Sequence, residues 1–433
     1  MTLTGNHTCG DITESSKDNR GIFPADNSAS SKNRRYFRLI SVIEAINLIA
    51  TITPKTNNEF VHITEACGRV IGEDITCDIN IPGFSRSVKD GYAVVSEDLI
   101  RATEAVPVRL SLSHRISMGQ GDPGKIFSGY CAYIPTGARI PEGADAVVML
   151  EYCDELDDFV LMNRPASRGE NIVMKGEDFS EGEGIINTGH KLRIQDIGLL
   201  AASGITSVPV TRMPNIGIIS TGSEVVSPDE IPECGEVRDV NSYLCGSFVE
   251  ERGGKAVYYG IVRDDPGELR FLMKKAAGEC DAVLISGGSS KDSRDITALV
   301  LEEIGDVIAH GISIAPGKPT IIGKYSDMPV IGVPGHPASA FIILNVLAGR
   351  MIDLFTSNLD STVTTRKGIM SNNIPSEKGR EEYFRVRVLG NEVVPLYGKS
   401  GLISTLTDSD GMIRINAGCE GIEKGSEVEV IMW

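Results

Sequence analysis

Residues 281–295 read D-A-V-L-I-S-G-G-S-S-K-D-S-R-D, and this stretch decides the fold. The short, uninterrupted apolar run from Ala282 to Ile285 suits a strand covered on both faces. It leads straight into Ser-Gly-Gly-Ser-Ser, where two glycines allow a sharp turn and the close approach of a ligand. Beyond Asp295 the apolar positions of I-T-A-L-V-L-E-E-I-G predict a helix. A Gly/Ser loop between a buried strand and a helix start aims amide N–H groups and a positive dipole end at one spot. That arrangement is an anion cradle, usually for phosphate. A plain structural turn has the same pattern, and this loop alone does not separate the two.

Strands and helices alternate on both sides of the loop. Residues 215–220 predict a buried strand that runs into Thr221-Gly222-Ser223-Glu224. A helix over 241–252 follows, then a strand over 255–262 ending in Arg263-Asp264-Asp265-Pro266, then a helix to Ala277. Further strands are expected over 307–314, 320–323 and 330–333, and a closing helix over 337–355. This order predicts an α/β domain with a doubly wound parallel sheet, whose ligands sit outside the carboxyl ends of the strands. Glu224, Asp264 and Asp295 fall at such ends or in their loops, and Asp239 lies in the first crossover. Singly, each reads as a solvated loop acid. Jointly, beside a Gly-Gly loop, they point to a metal-assisted phosphate site, because Mg²⁺ uses one or two carboxylates plus phosphate oxygens. Pro316-Gly317-Lys318-Pro319 and Pro334-Gly335-His336-Pro337-Ala338-Ser339 add a lysine on a stiff loop and a proline at a helix start.

The remaining segments differ in character. Residues 1–35 are polar and predict a disordered, dispensable tail. Ser41 and Glu44 form a capping box for a first helix, and Pro54 closes it. Residues 36–208 form an N-terminal region with a β-rich module inserted at about 77–165. Two Gly-marked loops lie in that module, at 82–94 and 135–148, and by spacing alone Asp90-Gly91 reads as a hairpin turn. A short helix over 194–203 is capped by Gly204. The α/β domain spans 209–356, and a C-terminal β domain over 357–433 is long enough for a small barrel or sandwich. The expected fold class is therefore multidomain α/β plus β.

Bulk properties narrow the function. A net charge of −17 over 433 residues argues against nucleic acid as the main partner. Nine cysteines at scattered spacings, none in a C-x-x-C pair, fit reduced thiols in a cytosol. The polar N-terminus has no apolar signal core, and the densest apolar patch, 340–348, is broken by Asn345 and too short to span a bilayer. A cytoplasmic protein with no membrane partner is expected.

The order of motifs resembles the molybdopterin molybdenumtransferase family, which includes the C-terminal domain of gephyrin. The matching pieces are S-x-x-D-G-Y-A from Ser87, T-G-A-x-x-P-x-G-A-D-A-V-V from Thr136, G-E-D from Gly176 and S-T-G-x-E from Ser220. Then come R-D-D from Arg263, S-G-G-x-S from Ser286, P-G-K-P from Pro316 and P-G-x-P-x-S from Pro334. The resemblance implies a reaction in which molybdate is placed on the dithiolene of adenylylated molybdopterin and AMP is released with the help of Mg²⁺ or another divalent cation. It also implies a homodimer of four-domain subunits with its site in an inter-subunit cleft, and hand-over of substrate from a molybdopterin adenylyltransferase. Carried over by motif, Asp90, Asp178, Glu224, Asp264 and Asp295 are catalytic, the first two entering that cleft from the N-terminal modules and the last three also binding the metal. Ser220, Thr221, Gly222, Gly287, Gly288, Ser290 and Lys291 bind the cofactor, and Lys318, Pro319, Ser339, Arg385 and Ser400 form the oxyanion site.

Several positions depart from the family pattern. Lys89 replaces a common Met, Val173 a common Arg, and His336 a usual Asn. Gly311 and Ala315 stand where lysines are frequent, and Lys291 and Asp292 enter a loop usually built of small residues. These changes bear on the choice between molybdate and tungstate. Three rival readings remain: a tungstate-selective version of the enzyme, a non-catalytic cofactor-binding or scaffold protein on the same fold, and a nucleotide phosphohydrolase. The joint presence of Asp90, Asp178, Glu224, Asp264 and Asp295 favours an enzyme, since a scaffold has no need of acids facing a phosphate loop.

Overall fold

The structure, a computed structural model, describes residues 39–287, 295–358 and 364–433. The polar tail and the loop residues Gly288, Ser290, Lys291 and Asp292 lie outside the described residues.

The stretch quoted first forms the middle of a six-stranded sheet. Its strands are β1 (Asn215–Thr221), β2 (Lys255–Val262), β3 (Ala282–Ser286), β4 (Asp306–His310), β5 (Ile321–Tyr325) and β6 (Met328–Val333). They lie in the order β2-β1-β3-β6-β5-β4. The pairs β1–β2, β1–β3 and β3–β6 are parallel, whereas β5 and β4 add an antiparallel edge. Side chains alternate across a strand, so Ala282 and Leu284 enter one core while Val283 and Ile285 enter the other. Both faces are covered, which is why the sequence shows no polar interruption. Each fully buried Leu, Ile or Val contributes about 1.5–3 kcal/mol.

Helices α1 (Asn241–Glu251) and α4 (Pro337–Thr356) cover the first face, and α2 (Pro266–Glu279) and α3 (Ile296–Ile304) the second. The helix Val42–Ile52 joins the first core through Val42, Ala45 and Ile49. Its capping box forms as expected, with the Glu44 amide donating to Ser41 Oγ at 3.2 Å and the Ser41 amide donating to Glu44 at 2.8 Å. Helix α4 has 20 residues and is long and apolar enough to cross a membrane, but most of it is buried in this core. It includes a π-helical turn, Leu344–Ala348, where Asn345 Nδ2 donates to the Phe341 carbonyl at 2.9 Å. The strand expected over 307–314 stops at His310, because Gly311 turns the chain with φ +101°. Ile314–Ala315 then leaves the sheet and pairs with Glu381–Leu389.

Two nested antiparallel pairings frame the β-rich module. Asn58–His62 pairs with Ser207–Thr211, and inside it Ile75–Thr76 pairs with Gly184–Ile186. The module itself is a six-stranded sheet running from Gly91–Val94 to Phe159–Met162. Asp90-Gly91 is not a hairpin turn. Gly91 opens a strand, and a Cβ there would sit 2.0 Å from the Val148 carbonyl oxygen, so the glycine serves close strand approach. In the C-terminal domain, Thr365–Met370, Glu381–Leu389, Glu392–Pro395, Gly411–Ile415 and Glu427–Met432 close into a small barrel, sealed by pairing of Glu381–Leu389 with Gly411–Ile415. Met370, Val386, Val393, Ile413 and Val430 fill it.

Candidate active site

Three adjacent parallel strands, β1, β3 and β6, deliver their carboxyl ends to one place. After β1 the chain turns at Gly222, whose amide donates to the Val262 carbonyl of β2 at 3.0 Å. Ser223 donates to Asp264 Oδ2 through its amide at 2.9 Å and its hydroxyl at 2.7 Å. Asp264 itself takes a left-handed backbone, with φ +51°. The Glu224 carboxylate lies about the same turn, its oxygens 3.0 and 3.1 Å from where a Gly222 Cβ would stand. Glu224 and Asp264 therefore flank one turn at the lip of the sheet. Gly287, just after β3, has φ +90°, and a Cβ there would lie 2.1 Å from the Thr221 carbonyl oxygen. Only glycine permits that approach. Ser220 and Thr221 are buried at the end of β1, with the Thr221 hydroxyl donating to the Ser286 carbonyl at 3.2 Å.

Asn241, which the motif reading missed, ties these ends together. Its Nδ2 donates to Ser286 Oγ at 2.8 Å, to the Gly335 carbonyl at 2.9 Å and to the Pro334 carbonyl at 3.3 Å. Two carbonyl partners fix the amide nitrogen on this side, leaving Oδ1 buried without a hydrogen bond. The one available signal was an Asn spent in the first turn of a helix, where its propensity is poor. Asp239 serves the same turn as a cap, accepting from the Ser242 amide at 3.1 Å.

Asp295 is the N-cap of α3, where Oδ1 accepts from the Thr297 amide at 3.0 Å and the Ala298 amide at 3.2 Å. The carboxylate is 6 % exposed, and Oδ2 is buried with no hydrogen bond among the described residues, 3.5 Å from His310 Nε2. His310, at the end of β4, is a second neighbour that spacing did not reveal. Among the described residues, no three His, Cys, Asp or Glu side chains already converge as a metal cage.

A second cluster gathers at the start of α4. The Ala338 amide donates to the Ser400 carbonyl at 3.0 Å, and Ser400 Oγ lies 2.9 Å from His336 Nδ1. Arg385 is 6 % exposed and donates from Nη2 to the Gly398 carbonyl at 3.1 Å, while its Nε has no partner. Burial pushes the Arg385 guanidinium pKa below its ordinary value. Ser339 is buried in the first turn of the helix. The loop bearing Lys318 and Pro319 packs on the same helix, since a Cβ on Gly317 would meet Ile343 at 2.7 Å, and Lys318 is exposed. A lysine in place of Gly311 would be strained at φ +101°, with its Cβ 3.0 Å from Leu39.

Asp90 and Asp178 lie on loops of the N-terminal segments. Asp90 Oδ1 accepts from the Thr136 amide at 2.6 Å, which ties the two Gly-marked loops and holds the carboxyl below its usual pKa. Asp178 is exposed, and its amide donates to the Ile81 carbonyl at 3.0 Å. Among the described residues, no hydrogen bond or ion pair joins either acid to the α/β domain.

Three family models match in chain order: MoeA N-terminal region (domain I and II) over residues 40–204, "Probable molybdopterin binding domain" over 217–352, and MoeA C-terminal region (domain IV) over 367–433. A Methanocaldococcus jannaschii protein named for molybdopterin biosynthesis is 36 % identical over 381 residues, 86 % of this chain and 91 % of its own length. The molybdopterin molybdenumtransferase of Haemophilus influenzae is 32 % identical over 298 residues, 69 % of this chain and 72 % of its own. The crystal structure of the molybdopterin biosynthesis MoeA protein from Pyrococcus horikoshii superposes with a TM-score of 0.82 at 31 % identity, covering 92 % of this chain and 100 % of that one. Matched from end to end of the described residues, the chain belongs to the MoeA family, that of the molybdopterin molybdenumtransferases.

Proposed function

We propose that this member of a molybdenum cofactor biosynthesis family inserts molybdate into adenylylated molybdopterin and releases AMP. The observation that carries the reading is the meeting of the Gly222, Gly287 and Gly335 loops under Asn241, with Glu224, Asp264 and Asp295 at their edges. Backbone N–H groups of these loops and the start of α3 would hold the phosphates. Ser339, Arg385 and Ser400 would hold the oxyanion. A buried cation that makes a single side-chain hydrogen bond among the described residues is well placed to pair with an anion.

Glu224, Asp264 and Asp295 would hold a divalent cation such as Mg²⁺. The donors are of the right kind, all carboxylate oxygens, and Asp295 Oδ2 is buried with no hydrogen bond among the described residues, 3.5 Å from His310 Nε2; the three acids do not already converge as a cage, so phosphate oxygens and water would complete the shell. An incomplete protein shell also suits Mg²⁺, which fills its octahedron with phosphate and water. When bound, the cation would neutralise charge on the bridging phosphates. Asp90 and Asp178 would complete the cleft from a second copy in a homodimer; their hydrogen bonds among the described residues run to Thr136 and Ile81 of the N-terminal segments. The ligand would arrive from a molybdopterin adenylyltransferase in the same cytoplasm.

Removing divalent cations from the purified protein is expected to stop AMP release, and adding Mg²⁺ to restore it. Asp264→Asn should still bind the ligand but release AMP roughly a hundredfold more slowly, as loss of about 3 kcal/mol implies. Unchanged release by the cation-free protein would contradict the reading.

A further inference from the structure

We propose that His336, acting through Ser400, couples oxyanion capture at the start of α4 to the uptake of a proton; this rests on the oxyanion reading above. His336 is exposed, yet Nδ1 lies 2.9 Å from Ser400 Oγ. The pair cannot be idle with respect to an anion. When Nδ1 is an unprotonated acceptor, it takes the Ser400 proton, and the hydroxyl turns lone pairs outward. When Nδ1 carries a proton, it donates to Ser400 Oγ, and the hydroxyl proton is released to point at a ligand. Protonation of the ring secures that second arrangement and adds a positive charge.

Ser400 is held where this matters. Its carbonyl accepts from the Ala338 amide at 3.0 Å, so the hydroxyl sits over the first turn of a 20-residue helix. The turn that carries it rests on Arg385, whose Nε is buried without a partner. Cations lie on the segments that carry the pair: Lys399 precedes Ser400 in the chain, Arg385 donates to the Gly398 carbonyl two residues earlier, and Lys318 is exposed on the loop packed against Ile343 of the same helix. Asp239, two residues before Asn241, accepts from the Ser242 amide. An oxyanion bound beside the pair favours a positively charged ring, so binding and protonation help each other.

Binding of inorganic tungstate to the full chain, followed by calorimetry at pH 6.2 and pH 8 in buffers of different ionisation heat, tests this. Affinity should fall roughly three- to tenfold at the higher pH, with uptake of a fraction of a proton on binding. His336→Asn should bind without that slope, at unchanged melting temperature, and Ser400→Ala should bind more weakly and also lose the slope. Arg385→Gln should bind more weakly yet keep the slope. A pH-independent affinity in the wild type, or the same slope in His336→Asn, overturns the proposal and leaves the oxyanion site standing. No tungstate binding at either pH would sink both.

Discussion

At the scale of single residues, the site spends its acids twice. Asp295 caps α3 with one oxygen and leaves the other buried, 3.5 Å from His310 Nε2 and with no hydrogen bond among the described residues. The two duties separate by substitution. Asparagine caps a helix about as well as aspartate but has no charge. Asp295→Asn should therefore melt close to the wild type while AMP release falls by roughly a hundredfold. Asp295→Ala should also lose about 0.5–2 kcal/mol of stability in urea unfolding. Equal activity in the wild type and Asp295→Asn would leave only the cap. Asn241 makes the opposite case. Asn241→Ala strips three acceptors of their donor, at a cost of about 1–3 kcal/mol, with weaker ligand binding as the loops part. A variant with unchanged stability and affinity would contradict its role as the tie. The sequence made Asp295 legible because it follows a Gly-rich loop. Asn241 was not legible, because its partners are separated from it by 45 to 94 positions and are reached only when β3 and β6 lie side by side.

At the scale of elements, local patterns carried well where both neighbours agreed. The capping box of Ser41 and Glu44 and the uninterrupted run into Ser286 each read as they fold. The patterns failed where a glycine answered to a distant strand. Gly91 looked like a turn residue but serves contact with Val148, and Gly311 ends a strand that its apolar neighbours would continue. The helix Ile194–Ala202 offers a test of local electrostatics. Asp196 Oδ2 accepts from the Arg193 amide at 2.8 Å and its Nε at 3.0 Å, and lies 2.7 Å from His190 Nε2. Hydrogen bonding from Arg193, helped by His190, holds this carboxyl well below the usual range. A depressed folded pKa stabilises the fold above the unfolded value, near pH 4, and that share is lost as pH falls towards the folded value. The stability gap between the wild type and Asp196→Asn should therefore narrow from pH 6 to pH 3. A gap that stays constant would show that the carboxylate charge contributes nothing there.

At the scale of the whole molecule, the family and fold class were legible because eight short motifs keep their order over most of the chain. What the order of motifs could not give is how far apart the pieces stand. Glu224 and Asp264 meet at one turn, and Ser339, Ser400 and Arg385 gather at the start of α4, but Asp90 and Asp178 remain in the N-terminal segments. On the proposal that a second copy completes the cleft, mixing Asp90→Asn with Asp264→Asn chains should restore part of the activity that each lacks alone. Mixed chains no more active than either parent would place both acids in one subunit's site. The central claim is that one site holds both the adenylylated ligand and the oxyanion and couples their chemistry. Release of AMP from adenylylated molybdopterin, followed with and without molybdate in the presence of Mg²⁺, tests it most directly. The account predicts that molybdate accelerates release and that molybdenum appears on the product in step with AMP; equal AMP release without molybdate, and no molybdenum on the product, would contradict it.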